Sequence, residues 1–214
     1  MEVPSYRVLV LGESGVGKSS LVQRYVFDQF SEQGPPPSGR EEERKTVIFK
    51  NGRHVELRIC DTQGQERADL LTKTFYKDTD AILFVYDITN SRTLWDSDVW
   101  IKDWTIHIEN IQSIPILFVG NKSDVPRPQT HHLDDNEPTN QEPELDERGD
   151  SGDEGDKDFV VPGAVKTLVK RHHFVGTPLE CSARTGGGVR AVFETIAAEV
   201  AMVRQPNKRS CVCL

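Results

Sequence analysis

The chain has 214 residues, the length of one domain with a sizeable apolar core, and a formal net charge of −8. No apolar run approaches the roughly 18 residues of a membrane-spanning helix, and no secretory signal follows Met1. Four cysteines without a zinc-binding spacing indicate a reduced, cytosolic protein. The acidity is concentrated in residues 126–158, which contain twelve acidic and three basic residues, so the remainder is nearly neutral.

The first predicted strand leads into a phosphate-binding loop. Residues 6–11 are apolar and predict a buried strand, and residues 21–27 predict a helix. Between them lies G-x-x-x-x-G-K-[ST], whose glycines let backbone N–H groups surround a phosphate at a helix N-terminus. We expect Lys18 to reach the β- and γ-phosphates and the Ser19 hydroxyl to bind Mg²⁺. The predicted phosphate-binding residues are Gly12, Glu13, Ser14, Gly15, Val16, Gly17, Lys18, Ser19 and Ser20.

The next elements predict a hairpin that ends in an acidic residue. Apolar and polar residues alternate over residues 55–60, as in a half-buried strand, and Asn51-Gly52 favours a tight turn before it. We therefore expect residues 45–60 to supply the antiparallel edge of a sheet. Asp61 follows directly, and its carboxylate is expected to hold Mg²⁺ through water.

A third motif follows another buried strand, predicted at residues 115–120. It delivers Asn121, Lys122 and Asp124 to the carboxyl end of that strand, where open α/β sheets bind ligands. Guanine presents two adjacent donors, N1–H and the 2-amino group, and one carboxylate accepts hydrogen bonds from both. Adenine lacks that pair, so Asp124 is expected to select guanine.

The remaining elements complete an alternation of strands and helices. Residues 81–86 predict a strand, and helical periodicity extends from Leu94 to Ile111 and from Val189 to Val200. Pro162 suits the first turn of a further helix at residues 163–172. This alternation predicts an α/β fold with a mostly parallel sheet. Three tryptophans are expected to pack with partial exposure: Trp95, Trp100 and Trp104.

Together the three motifs resemble a small GTPase of the Ras superfamily, with most similarity to its Rab-like members, over residues 5–125 and about 159–203. The resemblance implies a P-loop NTPase fold, the Ras-like G domain, with six strands, one antiparallel edge strand and helices on both faces. It implies GTP and GDP as bound nucleotides, Mg²⁺ as cofactor, and GTP hydrolysis. The implied partners are an exchange factor, a GTPase-activating protein and effectors. We expect a monomer that binds no nucleic acid.

The resemblance also implies roles for residues outside the three motifs. Phe30 would lay its ring against the guanine, and the Gly64 backbone N–H would approach the γ-phosphate. Gln65 is the implied catalytic residue, which orients the attacking water. The Ala183 backbone would meet the guanine oxygen. The last base-contacting loop is implied at Ser182, Ala183 and Arg184.

Several positions depart from the family pattern. Pro37 stands where the family has a threonine that binds Mg²⁺, and Gln63 stands where it usually has alanine. Residues 40–44 are all charged, and Cys60 replaces a tryptophan, so most of the aromatic effector-binding surface of Rab proteins is absent. Two functions follow. The chain is either a slow GTPase that acts as a molecular switch or a nucleotide-binding pseudo-GTPase that serves as a membrane-tethered adaptor.

Two segments differ from the domain at residues 5–203. Residues 126–158 are rich in acidic residues, proline and glycine, which predicts a disordered surface insertion within that domain. Residues 204–214 form a tail that ends in a C-a-a-X motif, with Cys211 as the predicted geranylgeranyl site. Cys213 is an alternative or second lipid site. The predicted location is the cytoplasmic face of a membrane, with a cytosolic pool.

Overall fold

A computed structural model describes residues 3–34, 42–62, 76–108, 113–127, 158–171 and 177–204. The elements alternate along the chain as the sequence predicts. The strands are β1 (Ser5–Leu11), β2 (Glu43–Ile48), β3 (His54–Asp61), β4 (Ala81–Asp87), β5 (Ile116–Asn121) and β6 (Leu179–Glu180). The helices are α1 (Lys18–Phe27), α2 (Arg92–Trp95), α3 (Ser97–His107), α4 (Pro162–Arg171) and α5 (Val189–Val203).

The six strands form one sheet in the order β2-β3-β1-β4-β5-β6. All neighbouring pairs are parallel except β2 and β3, which form the predicted antiparallel hairpin at the edge. Val10 of β1 lies beside Asp61 of β3, and Asp87 of β4 lies beside Asn121 of β5. The carboxyl ends of β1, β3, β4 and β5 therefore meet at one edge of the sheet.

Each face of the sheet carries its own apolar core. On one face, α1 and α5 pack against the inward residues of the strands, and Tyr25 stacks on Phe193 with ring centroids 3.9 Å apart. On the other face, α3 and α4 pack over β4 and β5, and Trp104 meets Phe84 edge to face. The expected α/β fold with helices on both faces is confirmed. Among the described helices, none has the length and apolar character needed to cross a bilayer.

The prediction of one continuous helix from Leu94 onward is wrong in one respect, because the structure has two helices there. The break between them lies at Asp96, whose backbone N–H donates to the carbonyls of both Arg92 and Leu94. The second helix ends at His107, and Ile108 is already extended. Such a break depends on tertiary packing, which apolar periodicity does not record. Residues 109–112 lie outside the described part of the chain.

The expected partial exposure of the tryptophans holds only for Trp95, which is half exposed. Trp100 and Trp104 are fully buried. They lie four residues apart on α3 and therefore share the helix face that packs on the sheet. α3 is thus anchored to the sheet by two large aromatic side chains.

Candidate nucleotide-binding site

A cavity of about 710 Å³ opens at the carboxyl edge of the sheet. It brings together residues from the phosphate-binding loop, the segment after α1, the end of β5 and the loop after β6. The residues that line it are Ser14, Gly15, Gly17, Lys18, Ser19, Ser20, Phe30, Ser31, Glu32, Gln33, Gly34, Asn121, Lys122, Asp124, Val125, Ala183 and Arg184. Two of the three sequence motifs, the phosphate-binding loop and the motif at Asn121–Asp124, therefore converge on this cavity, whereas Asp61 does not line it.

The phosphate-binding loop is shaped by its backbone. α1 begins at Lys18, and Gly17 precedes it in the left-handed region with a φ of 93°. A Cβ at position 17 would also lie 2.5 Å from Asn121 Nδ2, so both strain and contact require glycine there. The loop thus reaches the helix N-terminus with backbone N–H groups available to an anion.

Lys18 lies within the loop rather than in solvent. Its side chain is buried, and Nζ donates to the carbonyl oxygen of Glu13 at 2.9 Å. The ammonium is therefore held at the cavity wall by the same loop that would surround the phosphates. A polyphosphate bound there would offer Lys18 a charged acceptor, which is stronger than a carbonyl.

Asn121 connects the two loops that flank the cavity. It is 2% exposed, and its Nδ2 donates to the Val16 carbonyl at 2.9 Å. Its Oδ1 accepts from the Ala183 backbone N–H at 3.0 Å. The N–H that the resemblance implies for the guanine oxygen is therefore engaged by Asn121. Asn121 acts in this structure as a connector between the phosphate-binding loop and the loop after β6.

Asp124 is oriented by the loop after β6. The Ser182 hydroxyl donates to Asp124 Oδ1 at 2.6 Å and itself accepts from the Thr185 backbone N–H at 3.0 Å. The carboxylate is thereby fixed at the cavity wall. A fixed carboxylate is a suitable acceptor for two adjacent donors on a planar base.

Lys122 is paired with Asp87, an aspartate that the sequence analysis does not identify as a site residue. Its backbone has a φ of 68°, and its Nζ lies 2.6 Å from Asp87 Oδ2. Asp87 Oδ1 accepts from the backbone N–H and hydroxyl of Thr89 at 2.9 and 2.7 Å. A signal was available, because an acidic residue ends a buried strand next to the strand that carries Asn121.

Two other supporting contacts had no local signal in the sequence. Arg24 of α1 donates from Nε to the Ala183 carbonyl at 2.9 Å and from Nη2 to the Arg184 carbonyl at 2.8 Å. Trp100 of α3 donates from its indole Nε1 to Glu13 Oε1 at 2.8 Å. Both contacts join segments far apart in the chain and hold a loop of the site.

The predicted metal ligands lie at the start of α1 and at the end of β3. Ser19 lies in the first turn of α1 and lines the cavity, whereas Asp61 is half-buried at the end of β3 and does not. Thr62 fixes that strand end by donating to the Val10 carbonyl at 3.0 Å. A hydroxyl and a carboxylate are hard oxygen donors, so this pair fits Mg²⁺.

Phe30 and Arg184 both line the cavity. Phe30 packs partly against the core under α1, and Arg184 pairs with Glu32 at 2.9 Å. The remaining predicted site residues, Gly64, Gln65 and Cys211, lie outside the described residues. The same holds for Pro37 and Gln63.

The two described cysteines are buried core residues. Burial raises the pKa of the Cys181 thiol to about 12, and the neighbouring Glu180 carboxylate acts in the same direction. Burial also raises the pKa of Cys60, against the opposing effect of the Arg7 guanidinium. Both thiols are therefore protonated at neutral pH, which excludes them as nucleophiles there.

Residues 7–202 of the chain match the sequence model of the Ras family. GTP-binding protein YPT53 of Saccharomyces cerevisiae is 29% identical over 204 residues, which are 95% of this chain and 80% of that protein. Ras-related protein RabC of Dictyostelium discoideum is 36% identical, and Ras-related protein SEC4 of Saccharomyces cerevisiae is 39% identical.

The last two similarities are shorter. Each covers 56% of this chain, and they span 61% of RabC and 54% of SEC4. The family match, by contrast, extends from β1 to the end of α5 and includes every element of the sheet. The chain therefore belongs to the Ras family and is a Rab-like small GTPase of the Ras superfamily.

Proposed function

We propose that the cavity binds GTP and GDP, with the guanine at Asp124 and the phosphates at the loop before α1. The observation that carries this proposal is the Ser182–Asp124 hydrogen bond of 2.6 Å at the wall of a cavity that Lys18 also lines. Asp124 would accept from N1–H and the 2-amino group of guanine. Phe30 would cover the base, and Lys122 and Arg184 would border it.

The phosphate end of the cavity would act through charge and backbone dipoles. Lys18 would move from the Glu13 carbonyl to the β- and γ-phosphates, and loop N–H groups would donate to their oxygens. Ser19 and Asp61 would hold Mg²⁺, which offsets the charge that develops on the phosphates during hydrolysis. Gln65 would orient the attacking water, and the Gly64 N–H would contact the γ-phosphate.

We further propose that hydrolysis is slow and that GTP binding depends only weakly on Mg²⁺. The proposal is supported by the family resemblance, because Pro37 has no hydroxyl where the family has a threonine that binds Mg²⁺, and Gln63 is bulkier than the alanine that the family usually has there. A single-turnover assay with and without Mg²⁺ tests the proposal, with Gln65→Leu as the comparison. A rate typical of small GTPases would refute slow hydrolysis. Tight binding without turnover in either protein would support the pseudo-GTPase adaptor instead.

The proposed setting is a membrane that takes part in vesicle trafficking. The domain at residues 5–203 would be tethered by the tail at residues 204–214, through a prenyl group on Cys211 assisted by Lys208 and Arg209. An exchange factor, a GTPase-activating protein and effectors would act on it there. Cys211→Ser is expected to move the protein to the cytosol, and Cys213→Ser separates a second lipid site from the first. Unchanged membrane association of Cys211→Ser would refute the anchor.

A further inference from the structure

The phosphate-binding loop contains an acidic residue, although the polyphosphate proposed to bind there is itself anionic. Glu13 stands between Gly12 and Ser14, and a carboxylate beside a polyphosphate is repelled by it. Ser14 lines the cavity and Glu13 does not. The carboxylate is therefore turned away from the place where the phosphates would lie.

The group that holds this carboxylate is the indole of Trp100. Its Nε1 donates to Glu13 Oε1 at 2.8 Å, although the residues are 87 positions apart in the chain. Trp100 is fully buried on α3, whose core contacts fix the position of the ring. A hydrogen bond from a buried neutral donor to a carboxylate is charge-assisted and therefore strong. Glu13 is thus held by a rigid element outside the loop.

The same residue also contacts the lysine of the loop. Lys18 Nζ donates to the backbone carbonyl oxygen of Glu13 at 2.9 Å, so the ammonium is bound to the same residue whose carboxylate Trp100 holds. A released carboxylate would be a stronger acceptor for that ammonium than the carbonyl is. It would compete with the phosphates for Lys18 and would also repel them.

We propose that Trp100 is a positioning residue for nucleotide binding, which retains the Glu13 carboxylate outside the phosphate subsite and so keeps Lys18 available. This inference rests on the proposed function of the cavity. It assigns to α3 a role at the phosphates that none of the three sequence motifs contains.

The test is a cycle of GDP affinities for the full chain with four variants: Trp100→Phe, Glu13→Gln, their combination, and Trp95→Phe. Trp100→Phe removes the donor and should weaken GDP binding about tenfold, the equivalent of one charge-assisted hydrogen bond. Adding Glu13→Gln removes the released charge and should restore affinity to within about threefold of the Glu13→Gln protein. Trp95→Phe, at a half-exposed position on α2, should leave affinity unchanged.

The outcomes separate the inference from a packing defect and from the proposed function. Trp100→Phe and the double variant share the same cavity in the core, so equal affinities for these two would overturn the inference. Absence of GDP binding by the unmodified chain would instead refute the proposed function.

A second measurement covers the case in which Trp100→Phe does not fold. The indole N–H resonances of the unmodified chain and of Glu13→Gln are compared by ¹H–¹⁵N NMR. The Trp100 resonance should shift, because its acceptor changes from a carboxylate to an amide, while the Trp95 resonance should not. An unmoved Trp100 resonance would overturn the contact on which the inference rests.

Discussion

The two ends of the nucleotide cavity are built in different ways. At the guanine end, side-chain hydrogen bonds fix the loops: Ser182 donates to Asp124, and Asn121 makes two bonds to the backbone of neighbouring loops. At the phosphate end, the backbone around Gly17 makes the loop, and Lys18 rests on a carbonyl of that loop. The guanine end is therefore assembled before a base arrives, whereas the phosphate end must exchange a partner of Lys18.

Because of this difference, the guanine end should contribute mainly to base specificity and the phosphate end mainly to affinity. A preassembled carboxylate loses little conformational freedom on binding, so its hydrogen bonds contribute mainly to the choice of base. A backbone loop binds any polyphosphate, because its N–H groups carry no information about the base. Variants at the two ends should consequently differ in whether they change selectivity, stability or affinity.

The largest effect is expected from Asp124→Asn, which breaks the guanine end. The amide keeps the size of the carboxylate but puts a donor NH2 group in place of one acceptor oxygen, so one guanine donor would face another donor and GDP affinity should fall about 100-fold or more. Asp78→Asn is the matched control, because Asp78 is exposed in the turn before β4 and its φ of 58° suits asparagine. Titration with a fluorescent GDP measures both. Equal affinities would show that Asp124 does not contact the base.

Gly17→Ala is expected to have the next largest effect, on the phosphate end. Alanine at a φ of 93° is strained, and its Cβ would meet Asn121 Nδ2, so unfolding free energy should fall by about 2–3 kcal/mol. Gly52→Ala isolates the strain, because Gly52 has a φ of 76° with open space around it and should cost about 1 kcal/mol. Urea unfolding gives both values.

The same pair of variants also tests the connection between the two ends. Displacement of Asn121 by the new methyl group should weaken GDP binding in Gly17→Ala, whereas Gly52→Ala should bind as the unmodified chain does. If Gly17→Ala lost no more stability than Gly52→Ala, Asn121 would not be the connector that the geometry indicates.

Arg24→Lys tests the guanine end from outside the cavity, because Arg24 holds the loop after β6. Lysine cannot reproduce the two bonds to the carbonyls of Ala183 and Arg184, so GDP affinity should fall about tenfold. Arg190→Lys is the control, since Arg190 is 84% exposed and pairs with Glu194 one turn away. Affinity equal to that control would mean that the loop after β6 holds its shape without Arg24.

Most of the fold could be predicted from the sequence, because the signals are local. Alternation over residues 55–60 and the Asn51-Gly52 turn identify the hairpin, and the apolar run at 116–120 identifies a central strand. The break at Asp96 could not be predicted. It depends on how α2 and α3 pack on the sheet, and apolar periodicity continues through it.

The site was predictable in its motifs but not in its supports. Asp124 and Lys18 are recognisable because their chemistry follows a strand or precedes a helix. The contacts of Arg24 and Trp100 join residues 159 and 87 positions apart, so only the folded chain brings them together. Asn121 was predicted as a ligand residue, yet its hydrogen bonds in this structure go to other parts of the protein.

The smallest effect concerns the stability of the guanine end at alkaline pH. The pKa of Cys181 is raised to about 12 by burial, whereas a thiol in the unfolded chain titrates near 9. Below pH 9 both states keep the proton, and the full stability is present. As the pH rises toward 12, only the unfolded chain loses the proton, so the unfolding free energy decreases. Between pH 8 and 10, Cys181→Ala should therefore lose about 1 kcal/mol less of its unfolding free energy than the unmodified chain does in urea unfolding.

Alanine removes the titration of Cys181, while the other buried groups, such as Tyr25, titrate equally in both proteins. Parallel losses over that range would mean that the Cys181 thiol reaches water in the native state, and the guanine end would then be less closed than its hydrogen bonds indicate.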